Sequence, residues 1–142
     1  MTATQVPFSI EAVNRRLSRD SLASWMGYQL DELELGRIAA SMVVDSRHIA
    51  PNGFLHGSVG VALADITCGY GSVAYLTRSE KVVTIELKTN YVGTALEGRL
   101  ICKAVARHIG RDTHVWDADV IVEATEKPIL LFRCTQKILR AR

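Results

Sequence analysis

One nearly uncharged run constrains the fold of this chain more than any other feature. Residues 56–77, HGSVGVALADITCGYGSVAYLT, contain a single formally charged side chain, Asp65, among apolar and small residues. A helix that is apolar on nearly all faces must be enclosed by other elements. Each glycine lets a neighbour approach the backbone closely, but it costs an isolated helix about 1 kcal/mol relative to alanine. The run therefore predicts a buried central helix that carries one carboxylate.

The same run is long enough to cross a membrane, but its composition argues against that interpretation. Asp65 lies near its centre, and the run lacks the leucine-rich belt of a membrane helix. Four glycines interrupt it: Gly57, Gly60, Gly69 and Gly71. We therefore expect no membrane partner.

The flanking segments predict the elements that enclose the helix. Residues 26–45 hold two apolar-rich stretches separated by Gly36, which is typical of a strand pair. Residues 82–92 alternate between apolar and polar side chains, which indicates a half-buried strand. The predicted apolar face of this strand consists of Val83, Ile85, Leu87 and Tyr91, and Thr84 lies on its polar face.

Three further strands complete the predicted sheet. They span 98–109, 113–124 and 128–139, and the short turns GRD and TEK join them. Hairpin-length turns imply antiparallel pairing. The order of elements predicts an α+β fold in which an antiparallel sheet of five to six strands wraps around a long central helix. The 142 residues suit a single domain, 1–142.

Composition narrows the partners and the location. The net charge of +2 is spread along the chain without a basic patch, so we expect no nucleic-acid partner. Cys68, Cys102 and Cys134 lie in apolar stretches without the spacing of metal ligands, which predicts reduced, packed thiols and no metal site. The N-terminal segment lacks the basic start and apolar run of an export signal, so the expected location is cytoplasmic.

Residues 50–65, APNGFLHGSVGVALAD, resemble the signature of the hotdog-fold acyl-CoA thioesterases of the PaaI-like (phenylacetate-degradation thioesterase) family. In that signature an Asn-Pro-x-Gly-x-x-His-Gly-Gly loop opens the central helix, and an acidic residue follows nine positions after the histidine. The matching residues are Pro51, Gly53, His56, Gly57 and Asp65. The likeness extends over nearly the whole chain, through segments 84–98, 110–120 and 131–139.

Two positions depart from the signature. Ala50 stands six residues before the histidine, where the family usually has Asn or Gln, and Ser58 replaces the second glycine. Asn52, two residues after Ala50, is the candidate to supply the missing amide.

The resemblance implies a hotdog fold and hydrolysis of an acyl-CoA thioester, with a medium-chain or aryl acyl group, to a free acid and CoA. CoA is then part of the substrate, and no separate cofactor is expected. Asp65 is the predicted base, because a carboxylate that loses solvation is a stronger base when it is ionised. Whether it activates water or attacks as a nucleophile stays open. The alternative for Asp65 is a structural role, in which it accepts hydrogen bonds from a neighbouring strand or a helix end.

The other predicted catalytic residues surround this carboxylate. The Gly57 backbone N–H, in the first turn of the helix, is expected to polarise the thioester carbonyl. His56 is interpreted as an imidazole that caps the helix or fixes the loop by a hydrogen bond, rather than as a group that transfers a proton. Thr84 matches the position where relatives carry a Ser or Thr that helps hold the water, and its alternative is an ordinary strand threonine.

The spacing of the site residues predicts an oligomer. His56 and Asp65 are nine residues apart, about 900° of turn in an ideal helix, so they are expected to project on opposite sides. One chain then cannot join them, and two copies related by a two-fold axis can. We expect a homodimer with shared sites, paired further as a dimer of dimers, although the sequence does not distinguish dimer from tetramer.

The expected substrate-binding residues come from two sources. Gly110, Arg111 and Thr113 lie in or beside a hairpin turn that can offer a cation and backbone donors to the phosphates of CoA. Tyr91 and Lys137 match positions that contact the ligand in relatives. For Arg111 the alternative is a solvated turn residue.

Two other functions compete with hydrolysis. A hotdog domain that binds acyl-CoA without turnover is favoured by Ala50, whereas Asp65 favours the hydrolase. A hotdog hydratase is a weaker alternative, because the chain lacks the nearby Asp and His pair that such enzymes use.

Overall fold

The computed structural model describes residues 6–141, and its central element is the helix that the uncharged run predicts. This helix, α3, spans Gly57–Val73. Two short helices precede the sheet, α1 at Ile10–Leu17 and α2 at Leu22–Met26. A single 3-10 turn at Ser46–His48 leads into the loop before α3.

Six strands form one antiparallel sheet, as predicted. In chain order they are β1 Gln29–Glu34, β2 Arg37–Val44, β3 Glu80–Tyr91, β4 Gly98–Ile109, β5 Thr113–Val122 and β6 Pro128–Arg140. Their order across the sheet is β1-β2-β4-β5-β6-β3, so β1 and β3 are the two edges. The strand pair separated by Gly36 and the hairpin turns at 110–112 and 125–127 are confirmed.

The glycines of α3 allow close packing, as the sequence predicts. A Cβ added at Gly71 would lie 2.6 Å from the ring of Trp116, and one added at Gly60 would lie 2.9 Å from Leu130. Trp116 is fully buried and Leu130 is 1% exposed. The sheet therefore approaches the helix backbone at these two turns more closely than any side chain on α3 would permit.

The predicted apolar face of β3 is wrong, because a β-bulge lies between Thr84 and Glu86. Val83 pairs with Lys137, whereas Leu87 pairs with the buried Cys134. Cross-strand partners share a face of the sheet, so Leu87 faces α3 and Val83 faces away. The extra residue of the bulge reverses the alternation halfway along the strand.

One hydrophobic core lies between α3 and the concave side of the sheet, and it includes Leu63, Leu100 and Trp116. All three cysteines are buried free thiols, as predicted. Burial raises the pKa of Cys102 to about 12, which keeps it protonated at neutral pH. Within residues 6–141, no helix combines the length and the apolar character needed to cross a membrane.

Candidate active site

The carboxylate of Asp65 lies on the flank of α3 that faces β3, and it is half-buried rather than enclosed. It opens into a cleft of about 690 Å³ between α3, β3 and the α1–α2 segment. The walls of this cleft are largely apolar and include Leu17, Leu22, Ile66, Tyr70, Val73 and Val82. A charged group thus lies beside a space suited to a hydrophobic ligand.

Thr84 holds this carboxylate. Its Oγ1 donates a hydrogen bond of 2.7 Å to Asp65 Oδ1. Oδ2 of Asp65 makes no hydrogen bond to any residue between 6 and 141. Gln136 lies on the other side of Thr84, with its Nε2 at 3.4 Å from Thr84 Oγ1. We call these three residues, all of which line the cleft, the Asp65 end of the site.

The second group of predicted residues lies at the start of α3. His56 is the N-cap, as predicted, and its Nδ1 accepts a hydrogen bond of 3.2 Å from the Ser58 N–H. The Val59 N–H donates to the His56 carbonyl at 3.0 Å. The N–H of Gly57 has no acceptor within the described part of the chain, so it is free to donate at the positive end of the helix dipole.

Tyr91 closes over Gly57 from β3. Its Oη donates to the Gly57 carbonyl at 3.1 Å, and a Cβ added at Gly57 would lie 3.0 Å from that Oη. Together with His56, these residues line a small cavity of about 30 Å³. We call His56, Gly57 and Tyr91 the Gly57 end of the site.

The two ends lie on the same flank of the helix, which corrects the expected opposition. Gly57 contacts Tyr91 and Asp65 contacts Thr84, and both partners belong to β3. Because His56 is a cap with extended backbone, helical rotation starts only at Gly57. The eight steps from Gly57 to Asp65 give about 800°, or about 80° apart, and about 12 Å of rise. The axial distance therefore still separates the two ends within one chain.

Asn52 is not brought to either end. Its Oδ1 accepts a hydrogen bond of 3.2 Å from the Phe54 N–H, which forms an exposed turn in the loop before α3. It lines neither the cleft nor the small cavity. Within one chain Asn52 thus lies in the loop before α3, and its role as the missing amide stays a prediction.

The structure brings Gly110, Arg111, Thr113 and Lys137 together at the tip of the β4–β5 hairpin. Gly110 N–H donates to the Thr113 carbonyl at 2.9 Å, and Thr113 pairs with Lys137 across the sheet. Lys137 neighbours Gln136, so this group lies near the Asp65 end. Tyr91 lies apart from the group, near the other end of β3.

Sequence reasoning missed two residues. Arg140 binds Asp112 at 2.6 Å and Glu80 at 2.9 Å, and it also donates to the Arg111 carbonyl, so it braces the hairpin tip. The hydrogen bond from Arg140 to the Asp112 carboxylate lowers the pKa of Asp112. Gln136 is the second missed residue, although its place among the alternating apolar residues of β6 was a visible signal.

Comparisons with known proteins identify the class. The sequence model of the thioesterase superfamily matches residues 52–129, which is more than half of the chain. The chain belongs to this superfamily: it is a hotdog-fold protein and a thioester hydrolase.

Individual relatives agree with this assignment. The chain is 30% identical over 121 residues to 1,4-dihydroxy-2-naphthoyl-CoA hydrolase of Listeria monocytogenes, which covers 85% of this chain and 98% of the relative. It is 33% identical over 120 residues to the Escherichia coli protein of the same name, covering 81% of this chain and 84% of that one. A mutant thioesterase from Pseudomonas aeruginosa has a similar structure, with a TM-score of 0.89 and 30% identity over 95% of this chain and 96% of that chain. The finer PaaI-like assignment stays a prediction.

Proposed function

We propose that this protein hydrolyses an acyl-CoA thioester with a medium-chain or aryl acyl group. The observation that carries the proposal is the Asp65 carboxylate, held by Thr84 at 2.7 Å, at the edge of an apolar cleft of about 690 Å³. Such a cleft accepts an acyl chain or an aromatic ring and leaves the thioester beside the carboxylate. The names of the two CoA hydrolases among its relatives support CoA as the thiol.

Asp65 supplies the reactive oxygen in either of two ways. As a general base it takes a proton from water while the hydroxide attacks the carbonyl carbon; the C–S bond then breaks, and the proton passes to the departing CoA thiolate. As a nucleophile it attacks the carbonyl carbon itself, releases CoA and leaves a mixed anhydride that water hydrolyses. Both routes place negative charge on the carbonyl oxygen, and the free Gly57 N–H is the group proposed to receive it.

A homodimer joins these two groups. If two α3 helices pack antiparallel, Gly57 of one protomer faces Asp65 of its partner, and the two-fold axis passes near Val61, midway between them. Both ends lie on the flank beside β3, so one interface builds two equivalent sites. Edge strand β3 supports this arrangement, because Ile85, Leu87 and Tyr91 are between 41% and 59% exposed. A long apolar edge strand left uncovered is prone to pair with another chain. Pairing of dimers into a dimer of dimers stays a prediction.

The hairpin tip is the proposed site for the phosphates of CoA. Arg111 is exposed there, and Lys137 pairs across the sheet with Thr113 of the same hairpin tip. Gly110 and Thr113 close the turn that presents Arg111. Phosphate oxygens bind to such cations by charge-assisted hydrogen bonds. The proposed location of the enzyme is cytoplasmic.

A binding protein without turnover is the second candidate, and Ala50 is the feature that favours it, because its methyl group offers no donor to a carbonyl oxygen. Release of free CoA thiol from short, medium, long and aromatic acyl-CoA substrates separates the two candidates. We expect turnover with medium-chain or aromatic substrates. Tight binding in calorimetry without thiol release on any substrate would establish the binding protein instead.

A further inference from the structure

A chain of buried polar side chains continues from Asp65 into the core. Beyond Thr84 and Gln136 it passes to Ser72 on α3 and ends at His114 and Trp116 on β5. Ser72, His114, Trp116 and Gln136 are all 3% exposed or less. Buried polar groups are costly unless they are hydrogen-bonded, so this cluster requires its own partners.

Three polar side chains contact the Ser72 hydroxyl. Trp116 Nε1 can only donate, and it lies 2.8 Å from Ser72 Oγ. The single hydroxyl hydrogen of Ser72 goes to Gln136 Oε1 at 2.5 Å. His114 Nδ1 lies 2.8 Å from the same Ser72 Oγ. The hydroxyl is fully used, and Gln136 is fixed with its carbonyl oxygen toward the core.

This arrangement determines which atom of Gln136 meets Thr84. With Oε1 bound to Ser72, the Nε2 donor of Gln136 is turned to Thr84 Oγ1 at 3.4 Å. This is the longest hydrogen bond in the series of polar side chains between Asp65 and β5. A threonine hydroxyl is one donor and an acceptor. When the Gln136 N–H occupies the acceptor side of Thr84 Oγ1, the hydroxyl hydrogen of Thr84 is directed to Asp65 Oδ1 at 2.7 Å.

We propose that Gln136 is a positioning residue for the hydrolysis: it fixes the Thr84 hydroxyl as a donor to Asp65 and thereby sets the orientation of the reactive carboxylate. This inference rests on the proposed function, because it assumes that Asp65 is the reactive group. With Oδ1 bound to Thr84, the orientation of the carboxylate leaves Oδ2 available to water or to the thioester carbon. In this proposal Gln136 acts through Thr84.

The strand that carries Gln136 supports this role. Leu130, Phe132, Cys134 and Ile138 of β6 alternate with outward-facing residues and are all buried against α3. Gln136 occupies the same register, where an apolar side chain would pack without needing partners. Among the described residues, the Gln136 side chain has Ser72 as its hydrogen-bond partner on α3 and Thr84 as its partner on β3.

The first test is a double-mutant cycle on the full-length protein, read as kcat and KM for the best substrate. Gln136→Met keeps the length of the side chain but removes both polar atoms, and Thr84→Val removes the hydroxyl without changing the shape. We expect Gln136→Met to lower kcat about tenfold with KM within about twofold, since small misplacement of a reactive group costs mainly turnover. In the Thr84→Val background, Gln136→Met should lower kcat no further. The matched control is Gln29→Met, on the exposed edge strand β1, which should leave kcat unchanged.

Two results would overturn the positioning role: wild-type kcat in a folded Gln136→Met protein, or additive losses in the double mutant. Thr84→Ser keeps the hydroxyl and should retain most of the activity, whereas a merely structural role would not separate Ser from Val at this position. Asp65→Asn distinguishes the two proposals. If Asp65→Asn is inactive while Gln136→Met is fully active, only the inference fails; if both are fully active, the proposed function fails as well.

A second measurement does not depend on the folding of a Gln136 variant. The side-chain amide of Gln136 can be observed by NMR in ¹⁵N-labelled wild-type protein and in Thr84→Val. Loss of the Thr84 acceptor should shift the Nε2 resonances of Gln136 and leave those of Gln29 in place. Unchanged Gln136 resonances would show that the contact is absent, and the positioning role would be abandoned.

Discussion

The Asp65 end and the Gly57 end lie on one flank of the same helix, but the first is formed by side chains and the second by a backbone group. The Asp65 end consists of side chains, and a buried hydrogen-bonded cluster stands behind it. The Gly57 end consists of a backbone N–H at a helix N-terminus, held by the helix itself and covered by the exposed Tyr91. A reactive carboxylate needs positioning by other side chains, whereas a backbone donor is positioned by the geometry of the helix.

Removal of the carboxylate at the Asp65 end should have the largest effect. Asp65→Asn is nearly isosteric, so we expect kcat to fall at least about 100-fold with little change in KM, because the lost interaction acts mainly in the transition state. Steady-state thiol release measures this. Asp119→Asn, at an exposed position of β5, is the matched control and should keep full turnover. Near wild-type kcat in Asp65→Asn would show that Asp65 is not the reactive group.

The cluster behind the Asp65 end should make stability depend on pH. Burial lowers the pKa of His114 and of His48 below their ordinary value of 6.5. Below about pH 6.5 the unfolded chain then binds protons that the folded chain does not, so the free energy of unfolding decreases as the pH falls. The slope for each histidine is at most about 1.4 kcal/mol per pH unit.

Urea unfolding between pH 7 and pH 5 tests this contribution. The carboxyl groups whose pKa is lowered in the folded state, such as Asp45 at about 2, titrate below this window. His114→Asn should reduce the slope. An equal slope in wild type and His114→Asn would mean that folding does not lower the pKa of His114.

The hairpin tip beside the Asp65 end should affect substrate binding rather than turnover. We expect Arg111→Ala to raise KM for an acyl-CoA about threefold to fivefold with kcat unchanged, since one exposed cation contributes about 1 kcal/mol or less. The increase should shrink at high salt, where screening weakens the wild-type contact. Arg37→Ala, at an exposed arginine of β2, is the control. A loss of kcat without a change in KM would exclude phosphate binding by Arg111.

The loop before the Gly57 end should give the smallest effect. Because Asn52 forms an exposed turn, Asn52→Ala should change kcat less than about twofold. Ala50→Asn restores the amide found in the signature and should raise turnover or leave it unchanged. Both are measured by the same thiol-release assay. A loss of more than about fivefold in Asn52→Ala would show that its amide reaches the carbonyl oxygen, contrary to the position seen here.

The sequence predicts the fold better than it predicts the details of the site. The uncharged run and the alternating segments are sufficient to predict α3 and the antiparallel sheet. Burial of α3 requires a continuous apolar run, and burial of one face of a strand requires apolar residues at every second position. The bulge beside Thr84 could not be predicted, since the apolar alternation of β3 continues through Ile85 without interruption. The relation of Gly57 to Asp65 was missed because the ideal helix was counted from His56, which is a cap. Gln136 could have been found, as a polar residue in the apolar register of β6.

The central claim is that one chain carries two incomplete ends that a partner completes, and subunit mixing tests it most directly. Gly57→Val should be inactive because its side chain blocks the backbone donor and meets Tyr91, and Asp65→Asn should be inactive because it lacks the base. In a heterodimer of the two variants, one site carries both defects and the other carries neither. Co-refolding the two inactive proteins should therefore recover up to about a quarter of wild-type activity if subunits combine at random. Absence of activity, with heterodimers demonstrated by mass spectrometry, would show that each site is built within one chain and would contradict this account.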